Sequence, residues 1–241
     1  MATKIDRHDL KKDEFATDIS KIYGYASENP TRVLIWVILV IVIVGGAIGY
    51  YNYKKKREKD ARFKIALVYT MMDAGQYNEA LDTIKVVLNR YNGTGASDIA
   101  KYLLGHLNYA FGYLDSAIID YENYLKIEHP DSDLAAASLL GIASCYEDKS
   151  RYTDAIKYYK RLLDEYPHFF RNDEAMLGIA RCYDVSGDFA NAISYYQDFL
   201  RKYPKSPLRQ RAIVLLSRAK AKVYASKSPR PTNTTPQKSE G

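Results

Sequence analysis

The stretch Ile179-Ala180-Arg181-Cys182-Tyr183-Asp184-Val185-Ser186-Gly187-Asp188-Phe189-Ala190-Asn191-Ala192-Ile193 decides the fold, because its phrasing recurs three times upstream. Ala192 has counterparts in Ala155, Ala117 and Ala80, at successive separations of 37, 38 and 37 residues. Five residues before each alanine stands Gly75, Gly112, Ser150 or Gly187, and three before it Tyr77, Leu114, Tyr152 or Phe189. Leu81, Ile118, Ile156 or Ile193 follows directly, and Leu88, Leu125, Leu163 or Leu200 comes eight residues after. A fixed period of this length marks a repeat array, in which each unit hides its apolar face only by leaning on its neighbours. The expected fold is all-α.

Each unit reads as two helices. In the third, Leu139, Ile142, Ala143 and Tyr146 recur at the i, i+3, i+4, i+7 spacing of an amphipathic helix. A second stripe, Ala155, Ile156, Tyr159, Leu162 and Leu163, runs to Tyr166-Pro167, where proline stops the helix. The fourth unit repeats this with Met176, Ile179, Ala180 and Tyr183, then Ala192, Ile193, Tyr196, Phe199 and Leu200 before Tyr203-Pro204. The glycines before the alanines fall where the chain reverses, a place that often needs positive φ. The alanines are small because two helix backbones approach closely there. A last helix is expected after Ser206-Pro207, with Leu208, Ala212, Leu215, Leu216, Ala219 and Val223 inward and Arg209, Arg211, Arg218, Lys220 and Lys222 on solvated faces.

This wording resembles tetratricopeptide (TPR) repeats, in the longer form, ending in Tyr-Pro-x-Ser, of bacterial envelope proteins. The resemblance covers Ala61 to Pro204 and is strongest in the third and fourth units; the first has Asn92-Gly93 where a proline is expected. It implies an α-solenoid of about four helix pairs, residues 65–204; the last helix forms a cap over 205–226, and the Ser/Pro/Thr-rich composition from 227 predicts a disordered tail. In TPR geometry the first helix of each pair lines a concave groove. The resemblance therefore points to Ile65, Tyr69, Met72, Tyr102, His106 and Tyr109 as an aromatic, apolar half. Leu140, Ser144, Glu147, Leu177, Arg181 and Asp184 follow as a polar half. The ligand would be a protein or peptide. The terminal-carboxylate grip of co-chaperone TPR domains is not expected, since Ile65 and Tyr69 stand where that grip needs Lys and Asn.

Ahead of the repeats, Val33 to Tyr51 is 19 residues without a charge. That length spans a hydrocarbon core as a helix, and Trp36 and Tyr50, Tyr51 and Tyr53 mark its two ends as interfacial residues do. The preceding tail is long and carries acids as well as bases, unlike a cleaved leader. We read 32–53 as a single-pass anchor, 1–31 as an amphipathic tail with Phe15, Ile19, Ile22, Tyr23 and Ala26 on one stripe, and 54–64 as a basic juxtamembrane helix. Gly45 and Gly49 form a small-xxx-small pair through which another membrane helix can approach. No Gly or Pro interrupts Tyr50 to Ala74, so the anchor can run straight into the first repeat.

An uncleaved anchor behind a short amphipathic tail and before TPR repeats resembles the ancillary subunit family of the SecYEG translocon. That resemblance implies the bacterial inner membrane, a cytoplasmic amino terminus and a periplasmic solenoid. Positive-inside counting argues the other way, with Lys21 and Arg32 before the span against seven basic residues in 54–64. The sequence leaves three roles open: an adaptor for the translocon or periplasmic chaperones, an assembly factor for envelope or division complexes, and a cytosol-facing organelle import receptor.

The net charge of +6 dissolves on division. Residues 65–200 carry eleven bases against twenty acids, whereas 201–222 carry eight bases and no acid. Acidic repeats argue against nucleic acid. Cys145 and Cys182 occupy the same place in successive repeats and read as packing residues. His8, His106, His129 and His168 form no metal-spaced pair, no phosphate loop or convergent acid pair is readable, and no cofactor or small-molecule substrate is implied. The expectation is a scaffold, not an enzyme.

Overall fold

The computed structural model describes residues 7–227, and every element among them is helical. The helices are α1 (Arg7–Glu28), α2 (Pro30–Asp73), α3 (Tyr77–Arg90), α4 (Gly95–Ala110) and α5 (Leu114–Leu125). They continue as α6 (Ser132–Asp148), α7 (Tyr152–Glu165), α8 (Asn172–Val185), α9 (Phe189–Lys202) and α10 (Arg209–Lys227). The chain divides into two compact units between Arg57 and Glu58, and α2 contributes to both.

In the first unit, Pro30 opens α2, where its missing N–H costs nothing and its fixed φ suits a helix. Ile19 and Tyr23 of α1 are exposed; the side chains of Phe15 and Ile22, expected on the same stripe, lie outside the described set. α2 is the one described helix long and apolar enough to cross a membrane, and none of its apolar window is buried. Gly45 and Gly49 have open space beside them, with no atom within 4 Å of a built Cβ.

The second unit is a solenoid. Its first helix is the latter part of α2, whose Ala61, Ile65 and Val68 are buried with Ala80, Ile84 and Val87 of α3 and Ala100, Leu103 and Leu107 of α4. Glu58 ties α2 to the start of α4 by accepting the Gly95 amide at 2.9 Å, a carboxylate at the positive end of a helix. From α3 onward each helix packs on the next, and α4 also touches α6, and α6 touches α8. That neighbour-plus-next pattern places the first helices of successive pairs side by side along one face. The alanines of the period, Ala80, Ala117, Ala155 and Ala192, are all at 0% exposure.

The turns inside the pairs follow the sequence closely. Gly75, Gly112 and Gly187 have φ of 73°, 79° and 87°, and Ser150 takes the same left-handed conformation at 58° without being glycine. Between pairs, Thr94 and Asp131 cap α4 and α6 by accepting backbone N–H groups. Tyr166 and Tyr203, each before a proline, end α7 and α9.

Two details differ from the sequence expectation. Pro207 and Leu208 remain in the turn, so α10 begins at Arg209; the Ser206 hydroxyl instead accepts the Leu208 amide and donates to Asp173 at 2.6 Å. Arg218 and Lys222, expected to face solvent, reach back to Asp184 on α8 at 2.6 Å and 2.9 Å. Their aliphatic stems can lie along the helix while the charged heads meet a fully buried carboxylate. The expected tail from 227 lies outside the described residues, except that Lys227 ends α10.

Candidate functional site

A cavity of about 330 Å³ opens where α4, α6, α8 and α10 line up. Leu140, Leu177 and Leu208 give it an apolar wall, and Ser144, Glu147, Tyr159 and Arg181 a polar one. Tyr109, Asp148, Glu174 and Arg211 complete it. The periodicity explains the assembly. Leu140, Ser144 and Glu147 sit at i, i+4 and i+7 on α6, and Leu177 and Arg181 at i and i+4 on α8, so each helix presents one strip.

The polar wall is pre-arranged. Arg181 donates two hydrogen bonds to Glu147, Nε to Oε1 and an η nitrogen to Oε2, both at 2.7 Å. This bidentate geometry is the strong form of the pair. Tyr159, rising from α7 between α6 and α8, donates to Glu147 at 2.7 Å and lies 3.4 Å from the Ser144 hydroxyl. Tyr109 donates to Asp148 at 2.8 Å. Burial alone would lower the Arg181 pKa, but pairing with Glu147 outweighs it and the net shift is upward. Burial first, then the hydrogen bond to Asp148, raises the Tyr109 pKa, so its hydroxyl stays a donor.

The residues expected to line a groove divide between this cavity and other places. Tyr109, Leu140, Ser144, Glu147, Leu177 and Arg181 come together in it. Tyr69, Met72, Tyr102 and His106 do not line it; Tyr102 stacks on His106 with centroids 6.4 Å apart and leans on Tyr121 and Tyr124. Ile65 is 5% exposed in the first core cluster and offers no surface to a ligand, because the stripe facing α3 and α4 includes it. Asp184 is buried under α10 and serves that helix. Burial would raise its pKa, but Arg218 and Lys222 outweigh burial and the net shift is downward. Gly45 and Gly49 belong to the first unit and are described there.

One packing device behind the cavity was missed in the sequence. Gly105, Gly141 and Gly178 recur at 36 and 37 residues, and Tyr121, Tyr159 and Tyr196 at 38 and 37. A Cβ at Gly141 would sit 2.5 Å from the Tyr121 ring, and one at Gly178 2.5 Å from that of Tyr159. The glycines make room for rings that fill the seam between one pair and the next. In the first pair Val68 and Ile84 occupy the equivalent places, both fully buried. The signal was a second glycine and tyrosine period, hidden among 23 tyrosines.

Parallel strips of first helices around a shared groove define an interaction scaffold, and the comparisons agree. Two tetratricopeptide-repeat profiles match the chain, over residues 147–216 and 60–92. Residues 147–216 and 60–92 of the solenoid therefore carry TPR repeats, a fold generally used as a protein-binding scaffold. Among solved structures it is similar to a tetratricopeptide repeat protein from Parabacteroides merdae, at 20% identity and TM-score 0.56, over 70% of this chain and 63% of that one. This chain thus spans less than two thirds of that protein. It is also similar to YrrB, described as a TPR protein with an unusual peptide-binding site, at 15% identity and TM-score 0.53, over 74% and 85% of the two chains. A putative kinesin light chain from Podosopora anserina with nearly identical TPR-like repeats aligns at 15% identity and TM-score 0.57, over 70% and 89%. At these identities the likeness is one of fold. No curated protein matches the chain.

Proposed function

We propose that this protein is a membrane-tethered adaptor of the bacterial envelope, holding a protein or peptide segment in the groove along α4, α6, α8 and α10. The observation that carries the reading is the apolar window of α2, none of it buried, in the same chain as the TPR repeats. An apolar sheath of this length has lipid as its natural solvent. Open space beside Gly45 and Gly49 suits close approach of another membrane helix, and the resemblance to the ancillary translocon subunits suggests whose. On that resemblance we place the amino terminus in the cytoplasm and the solenoid in the periplasm, beside translocon components or chaperones that handle emerging chains.

Two measurements test this. Reporter fusions at both termini, with protease accessibility of intact spheroplasts, decide the side; a cytoplasmic solenoid refutes the envelope assignment. A photoreactive residue at Ser144 in living cells should capture translocon, chaperone or nascent-chain material. Recovery of the protein in the soluble fraction without detergent would remove the tether altogether. A stable complex unrelated to secretion would favour the assembly-factor role.

A further inference from the structure

The charges around the cavity do not cancel evenly. Glu147 and Arg181 neutralise each other in their bidentate pair. Glu174 is held in the same way by Arg171, through two contacts of 2.7 Å. Two lining charges remain. Asp148 accepts the neutral Tyr109 hydroxyl and is in no ion pair among the described residues, and Arg211 has no protein partner among them. Alternate helices of an antiparallel stack run the same way, so α6, α8 and α10 are parallel. Asp148 is the last residue of α6, whereas Arg211 lies in the first turn of α10, two pairs along the solenoid. The unpaired acid and the unpaired base therefore stand at opposite ends of parallel helices, on a lining that also holds Leu140, Leu177 and Leu208.

Resting on the reading of this groove as a peptide site, we infer that its occupant is an internal peptide segment of alternating character: a base, then an apolar residue or two, then an acid. The base meets Asp148, the apolar side chains cover the leucines, and the acid meets Arg211. A cavity of about 330 Å³ takes roughly two or three side chains, at the small end of ligand sites. The paired Glu147 and Arg181 supply rigidity and little net field. An acidic segment would lack a partner at Asp148, and a basic one would lack a partner at Arg211, so each loses half of the complementarity. Chain termini could supply the same two charges only from a very short peptide.

The test uses the full-length protein and four peptides acetylated and amidated at their ends, read by ligand-detected saturation-transfer NMR with competition. The parent is Ser-Lys-Ser-Leu-Leu-Ser-Glu-Ser; the others replace its Lys, its Glu, or both by Gln. Exposed ion pairs contribute about 0.2–1 kcal/mol, so each replacement should weaken binding about threefold and the double replacement about tenfold. Arg211→Gln should erase only the Glu-to-Gln difference, and Asp148→Asn only the Lys-to-Gln difference. Unchanged circular dichroism confirms that both variants fold. Equal binding of all four peptides, or discrimination that survives in the variants, overturns the inference while leaving a peptide groove in place. Uncapped Leu-Leu binding more tightly than the parent overturns the assignment to side chains. Failure of all four to bind overturns the inference too, and capture from Ser144 in cells then judges the groove reading separately.

Discussion

Gly178→Ala tests the seam between the third and fourth pairs. The added methyl lies 2.5 Å from Tyr159 Cζ, 2.6 Å from Cε2 and 2.9 Å from the hydroxyl oxygen. Carbon–carbon contact is comfortable at about 3.5–4.0 Å, so the ring must retreat by about 1 Å. It has little freedom to do so, being 1% exposed and bound to Glu147 through its hydroxyl. Overpacking of this kind costs about 1–3 kcal/mol, and so severe an overlap belongs near the upper end. Replacing a helical glycine by alanine returns about 1 kcal/mol, leaving a net loss of about 2 kcal/mol. Urea unfolding of the full chain by circular dichroism gives the sum, and amide exchange in α7 and α8 locates it, since repeat arrays can unfold in parts. Tyr159→Leu removes the clashing ring, so the double variant should be more stable than the two single losses added together by at least 1 kcal/mol. Additivity within about 0.5 kcal/mol, or an unchanged or improved stability of Gly178→Ala alone, would refute the account of glycines as room for tyrosines.

Three further outcomes are expected. Ser150→Gly should stabilise the third pair by about 0.5–1 kcal/mol, because a non-glycine residue pays for φ of 58° while the glycine gives back some unfolded-state entropy; a chemical-denaturation midpoint that falls would contradict this. Arg181→Ala should cost about 1–3 kcal/mol by leaving the half-buried Glu147 with neutral donors only, and Arg181→Lys should not restore it, because a lysine lacks the two-pronged geometry. Asp184 has a folded pKa below its usual 3.8, so its contribution is complete above that value and lost as pH falls through the lower folded value. The melting temperature should thus drop less between about pH 6 and about pH 2 in Asp184→Asn than in the parent; equal drops in the two proteins would exclude a stabilising role for Asp184 in holding α10.

The helix pairs were legible because their cause is local. Small residues at Ala80, Ala117, Ala155 and Ala192, with turn residues five places earlier, encode the hairpin within a single window. The cavity was half legible for the same reason: strips on α6 and α8 follow from helical spacing, and Leu140, Ser144, Glu147, Leu177 and Arg181 fall where that spacing puts them. Part of what escaped depends on contacts 34 or more residues away. Arg218 and Lys222 look like solvent-facing bases until the helix two before theirs is seen to bury Asp184 opposite them. Ile65 fits the groove pattern by position, yet the inner strip of α2 turns it toward α3 and α4. Spacing gives the face of a helix to within a residue, and one residue is enough to exchange groove for core.

The two thiols carry a practical corollary. Burial, followed by the charge of Asp148 for Cys145 and of Glu147 for Cys182, pushes both up to about 12, so neither forms appreciable thiolate at neutral pH. A cysteine introduced on the open surface will consequently outcompete both for maleimide or nitroxide reagents, and spectroscopic probes can be attached at single chosen points without first stripping the native sulfurs from the chain.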